Sequence, residues 1–143
     1  MSRGGCIFCS IVSGTAPCHR VYEDATVLAF MDIAPVGDGH LLVIPKRHYE
    51  NLLEADEASM LAVMSASHRL ALALKRALAP DGIGVHQLNG EAAGQTVFHY
   101  HMHLIPRKHG DPIAVHGRTM GDPKRLAENA RKIAAAMNER VPA

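Results

Sequence analysis

The stretch Phe98-His99-Tyr100-His101-Met102-His103-Leu104-Ile105 constrains this chain more than any other. Three histidines alternate with bulky apolar residues, and the run closes on Pro106-Arg107. Side chains of a strand point to alternate faces with a period of two. A strand over this run therefore predicts His99, His101 and His103 on one face, with Phe98, Tyr100, Met102 and Leu104 packed on the other. A helix would scatter the three rings over a wide arc. A single histidine on an apolar strand usually packs or faces solvent. Three at strict alternation point to function, because imidazole serves near neutral pH as nucleophile, acid, base or metal ligand.

The rest of the composition narrows the classes available. With 143 residues, 48% of them hydrophobic and 20% charged, the chain matches one soluble globular unit with a proper core. Lys+Arg 15 against Asp+Glu 14 leaves no electrostatic footprint for nucleic acid. No apolar run approaches the roughly 20 residues that span a bilayer, so no membrane segment is expected. Met1 to Gly5 is not followed by the apolar core of a signal peptide, which predicts a cytoplasmic protein. Three cysteines make no disulfide framework, and Cys6-Ile7-Phe8-Cys9 reads instead as a metal or redox pair. Cys18 is left over as a small thiol.

Periodicity and breakers place the elements. Cys6–Ser13 has helical spacing and ends at Gly14. Arg20–Glu23 and Val27–Met31 read as a hairpin turning at Asp24-Ala25. Pro35 to Gly39 is loop chemistry, and His40–Pro45 is a buried strand stopped by proline. Asp56 caps the longest helix, which carries an apolar stripe to Ala79-Pro80 and alanine-rich faces suited to close helix packing. His68 on that helix reads as a surface residue. Ile83–Leu88 is a strand, Asn89 to Gly94 a glycine-bracketed loop, and Asp122-Pro123 opens a last helix.

Two sites can be built from these pieces. Cys6 and Cys9 have the spacing that puts two thiolates on one tetrahedral centre, and His48 and His99 are the best-placed imidazoles to complete it. A Cys₂His₂ set is a closed, structural zinc site. Two unrelated cysteines on a short helix is the competing reading, and a redox pair lacks the strand context it needs. The second site centres on His101 as nucleophile. His103, one pleat further on, can donate a proton to a phosphoryl oxygen or a leaving group. Gly94-Gln95-Thr96 supplies backbone N–H groups, an amide and a hydroxyl, donors that suit a phosphate.

The motif His99-Tyr-His101-Met-His103-Leu-Ile105, preceded by Gly94-Gln95-Thr96-Val97, resembles the signature of the histidine triad family of nucleotide hydrolases and transferases. Cys6–Cys9, Val21–Asp24, Ala29–Ile33, Gly39–Pro45 and Lys46-Arg47-His48 resemble the bacterial histidine triad nucleotide-binding branch in the same order. The resemblance implies an α+β fold: an antiparallel five-stranded sheet, one long central helix, a short N-terminal helix and a C-terminal helix. The triad domain would span residues 5–107, with the loop and helix of 108–143 packed on it.

The resemblance also implies attack on the α-phosphate of a purine nucleotide by His101, through a covalent nucleotidyl-histidine, with His103 and His40 in support. The substrate would be an AMP or GMP conjugate of phosphoramidate or acyl-AMP type. Alternatives are dinucleoside polyphosphate hydrolysis, or a zinc-stabilised nucleotide-binding protein with incidental turnover. Gln95 and Thr96 would meet the phosphate and leaving group, Asp32 the ribose hydroxyls, and Phe8, Phe30 and Ile33, with Ile7 and Ile11, the base. Many relatives carry an asparagine where this chain has Leu88, so the adjacent Asn89 inherits that contact. The related galactose-1-phosphate uridylyltransferases use a CxxC pair, a later histidine and the first motif histidine as zinc ligands, which maps onto Cys6, Cys9, His48 and His99. The family plan further implies a homodimer.

Overall fold

In the computed structural model, residues 5–138 are described. Their order is α1 (Ile7–Ser13), β1 (Arg20–Glu23), β2 (Val27–Met31), β3 (Leu41–Pro45), α2 (Glu57–Leu78), β4 (Gly82–His86), β5 (Met102–Arg107) and α3 (Pro123–Met137). The strands form one antiparallel sheet in the order β1-β2-β3-β5-β4. This is the expected α+β plan.

Local chemistry sets the helix ends. Asp56 accepts from Ser59 N–H at 2.9 Å, satisfying one orphan donor at the start of α2. Asp122 accepts from Lys124 N–H, and Pro123 occupies the first turn of α3, where its missing N–H costs nothing. Cys6 caps α1 through its sulfur, and Gly14 closes it in the left-handed conformation at φ 85°.

The two central strands, β2 and β3, are buried along their whole length because both faces of the sheet are covered. Val27, Ala29, Met31, Leu41, Val43 and Leu104 face α2 and α3. The small residues Ala66 and Ala73 of α2 and Ala130 of α3 belong to this same core, so the alanine-rich face of α2 is used within the chain. Leu28, Phe30, Leu42 and Ile44 face the other way, against Phe8 and Ile11 of α1. His68 is exposed, as expected. No helix among the described residues is long and apolar enough to cross a membrane.

The histidine run departs from expectation in one respect. The ladder begins at Met102, and Phe98 to His101 lies outside any strand. There the backbone is anchored to a neighbouring segment by Tyr100 N–H, which donates to the Tyr49 carbonyl at 2.7 Å. The backbone bends through Val97–His99, yet His99, His101 and His103 are all buried and Tyr100 and Leu104 still enter the main core. Phe98 does not; it is 43% exposed. Two neighbouring strands are also shorter than expected. β3 begins at Leu41, with His40 just before it, and β4 ends at His86.

Candidate functional site

His101 and His103 meet at the floor of a cavity of about 530 Å³, on the α1 side of the sheet. Their ring centroids are 4.9 Å apart. The hydrogen bonds behind them assign the protons. His101 Nδ1 lies 2.7 Å from the carbonyl oxygen of His99. A carbonyl can only accept, so Nδ1 carries the proton and Nε2 keeps its lone pair.

His103 has the opposite tautomer, and the reason begins in the backbone. Val36 N–H donates to His40 Nδ1 at 3.0 Å, which forces the His40 proton onto Nε2. His40 Nε2 then donates to His103 Nδ1 at 2.9 Å. The His103 proton is left on Nε2, a buried atom with no partner among the described residues. A bare nitrogen on His101 thus stands beside an unused N–H donor on His103.

Burial keeps these rings neutral. It depresses His101, and it holds His40 down to about 4, with Arg107 the next contributor. His103 is pushed down to about 2 by burial first and then by His101 and His40 beside it. A neutral imidazole with a free nitrogen is the nucleophilic form.

The remainder of the cavity divides by chemistry. Ile7, Phe8, Ile11, Phe30 and Ile33, the five residues expected around a base, all line it. Phe8 stands edge-on to His101, with centroids 5.2 Å apart. Asp32 also lines the cavity; its Oδ1 accepts from Ala34 N–H at 2.9 Å, and its Oδ2 lies 3.5 Å from His40 Nε2. Burial raises its carboxyl above the ordinary range. Thr96 lines the cavity as well.

Two expected contacts lie outside the lining. Gln95 is buried, and its amide is spent on the scaffold. Its Nε2 donates to the carbonyls of Glu50 and Val97, and its Oε1 accepts from Gly90 N–H and Asn51. Asn89 accepts from Leu52 N–H and pairs with Gln87. Both hold the loop that presents Thr96. The sequence reading missed His116, which reaches the cavity from the segment after β5. No local pattern around it signals that placement.

The second set of histidines lies under α1. Sulfur and nitrogen donors of Cys6, Cys9, His48 and His99 fall within 4.8 Å of one another. Cys6 Sγ is 3.4 Å from His99 Nδ1, and Cys9 Sγ is 3.2 Å from His48 Nδ1 and 3.6 Å from His99 Nδ1. Bond lengths of about 2.3 Å to sulfur and 2.05 Å to nitrogen give a tetrahedron with S–N edges of about 3.5 Å. The set therefore fits zinc. His99 is prepared for that role, because its Nε2–H donates to the Pro45 carbonyl at 2.8 Å and leaves Nδ1 for a metal. Burial pushes the Cys6 thiol up, with Cys9 adding to it, a cost that a bound cation offsets.

Asp32, His40 and His103 also cluster within 4.8 Å of one another. They suit a cation poorly. The bond from Val36 N–H leaves His40 Nε2 protonated, with no lone pair to give.

A cavity of about 530 Å³ on an antiparallel sheet, floored by two imidazoles in complementary tautomers, is the arrangement of a histidine triad protein. The comparisons agree: a family model described as HIT domain matches residues 13–110. The chain is 42% identical over 137 residues to Protein hit of Bacillus subtilis, covering 95% of this chain and 94% of that one. It is 41% identical over 109 residues to a plant relative, the adenylylsulfatase HINT3 of Arabidopsis thaliana, covering 76% of this chain and 55% of that protein. Among solved structures, a Hit-like protein from Bartonella henselae superposes with a TM-score of 0.87 at 44% identity, covering 94% of this chain and 98% of that one. A zinc-bound histidine triad protein from Mycobacterium smegmatis gives 0.83 at 40% identity, covering 93% of each chain. The chain belongs to the HIT family.

Proposed function

We propose that this protein hydrolyses the α-phosphate linkage of a purine nucleotide conjugate, of phosphoramidate or acyl-AMP type, through a covalent nucleotidyl-His101 intermediate. The observation that carries the reading is the pair of opposite tautomers. The His101 Nε2 lone pair forms a bond to phosphorus as the bond to the leaving group breaks, and the leaving group departs with those electrons. The positive charge that develops on the ring is met by the His99 carbonyl at Nδ1. His103 Nε2–H donates to a phosphoryl oxygen or to the departing atom. Water then attacks phosphorus, the N–P bond breaks, the lone pair returns to His101, and the water's proton goes to solvent. Dividing one displacement into two is the advantage of the covalent route.

The purine would occupy the apolar end between Phe8 and Phe30, and the Asp32 carboxylate would accept from the ribose hydroxyls. A volume of about 530 Å³ suits one nucleotide, which favours a conjugate with a small leaving group over a dinucleoside polyphosphate. The plant relative's name, adenylylsulfatase, describes the same bond class on an adenylyl group. Zinc at Cys6, Cys9, His48 and His99 belongs to this reading as a structural ion that ties α1 to the base of the histidine run, supported by the zinc-bound neighbour. So does a homodimer, for which exposed Leu61, Met64 and Leu72 on α2 and Val85 on the edge strand β4 offer apolar surface.

The test is to trap the intermediate. Rapid quenching of a phosphoramidate reaction, followed by peptide mass spectrometry, is expected to find a nucleotidyl adduct on His101. An adduct on another residue, or full turnover by His101→Ala, overturns the reading.

A further inference from the structure

His116 lies beyond residue 110, where the family match ends, yet it forms part of the cavity wall. The segment that carries it, 108–121, is fastened at three points. The Arg107 guanidinium donates to the carbonyls of Pro112 and Ala114 at 2.8 and 2.5 Å. Gly121 N–H donates to the Ile33 carbonyl at 2.7 Å. Gly117 packs so closely on the loop after β2 that a methyl group there would collide with the carbonyl oxygens of Ala34 and Pro35. Between these anchors His116 Nε2 donates to the Gly94 carbonyl at 2.7 Å, and its ring stands edge-on to His103 with centroids 5.7 Å apart. The strap therefore joins the loop that carries Asp32 to the loop that carries Thr96.

The other walls already have occupants under the reading proposed above, on which this inference rests. The apolar end takes the base, and Cys18 packs there with Phe8 and Ile11. Asp32 takes the ribose, and His101 and His103 meet the phosphorus. A displacement in line expels the leaving atom opposite the attacking nitrogen. Among the described residues no lysine or arginine lines the cavity, and the polar side chains left to receive the departing group are Thr96 and His116. Of these, only His116 is held by a segment clamped on both sides.

We propose that His116 contacts the leaving group and determines which leaving groups the site accepts. The ring and its strap wall off the far side of the phosphate position. They favour a compact polar leaving group, such as an amine, a carboxylate or a sulfate, that can hydrogen-bond to an imidazole edge. They work against a second nucleotide.

The test compares adenosine 5′-phosphoramidate with diadenosine triphosphate in the intact chain, His116→Ala, His116→Gln and Gly117→Ala. In His116→Ala, the kcat/KM ratio of the compact substrate over the dinucleotide is expected to fall about 10-fold. The Kd for AMP, which has no leaving group, is expected to move less than about 2-fold. His116→Gln, which keeps a donor for the Gly94 carbonyl, recovers part of the preference, and Gly117→Ala shifts the ratio in the same direction with His116 intact. An unchanged ratio, or AMP affinity falling in step with activity, assigns His116 a purely structural role and overturns the proposal. Binding of phosphoramidate relative to AMP, measured in a His101→Ala background, makes the same comparison without turnover. The proposal for His116 and the covalent mechanism can thus fail separately.

Discussion

Two sets of histidines sit at the two ends of one short run, and they use their lone pairs in opposite ways. Under α1, ring nitrogens of His48 and His99 gather with two sulfurs within 4.8 Å of one another. In the cavity, the bare nitrogens of His40 and His103 are taken up by neighbouring N–H groups, while His101 Nε2 keeps its lone pair at the edge of the open volume. His99 and His101 are two residues apart, and each gives its proton to a backbone carbonyl. His99 gives it from Nε2 to Pro45, and His101 from Nδ1 to His99. That choice of nitrogen turns one imidazole toward the sulfurs and the other toward the cavity. The carbonyl behind a histidine, more than the histidine itself, decides which chemistry the ring can do.

The contrast can be broken most sharply by making the same change at both positions. His101→Ala is expected to lower kcat by about 10³-fold or more while leaving the metal content and Tm close to the parent values. Steady-state kinetics, elemental analysis and calorimetry on one preparation decide this. An equal loss of stability would mean that the two rings are not separate in function. His99→Ala is expected to do the reverse. About one equivalent of zinc is lost and Tm falls by roughly 5 °C or more, since the remaining donors make an incomplete site. A metal-free parent chain of equal stability would remove the structural role from the cluster.

His40→Leu tests whether the cavity pair depends on its relay. Without the His40 donor, His103 Nδ1 is no longer held as an acceptor and the tautomer is free to change. Turnover is expected to fall about 10- to 100-fold with zinc retained. A loss of zinc in this variant would join the two sites that the structure keeps apart.

The smallest effect concerns acid. His40 is held near 4 and His103 near 2 when folded, against about 6.5 in an unfolded chain. The unfolded state therefore binds more protons below pH 6.5, so this contribution is fully present above that value and is lost as pH falls toward the folded values. The loss grows as the pH falls from 6.5 toward 4. Melting curves at pH 7 and pH 4.5 measure it, and the dependence is expected to be shallower in His40→Leu.

Much of this was legible in the chain because it rests on spacing. The CxxC pair fixes two donors in a single turn, and the alternation of His99, His101 and His103 with apolar residues marks three rings that the structure buries. For the same reason the start of β5 was not legible. Phe98 looks like any core residue of a strand, but the backbone there bends outside the sheet ladder and the ring is half-exposed. Gln95 reads as a ligand contact because an amide near a phosphate motif can donate. Only the folded loop reveals that backbone groups of Glu50, Gly90 and Val97 already occupy it. His116 carries no signal at all, since its place depends on Arg107 and Gly117 gripping two other segments.

The proton order in the cavity starts at the Val36 amide, a group that cannot exchange its role as donor for that of acceptor. Orientation is therefore written into the main chain, and no change in buffer or side chain at position 36 can reverse it, with one exception. Proline there would delete the N–H and let His40 and His103 turn their protons the other way, while His101 keeps the order set by the His99 carbonyl.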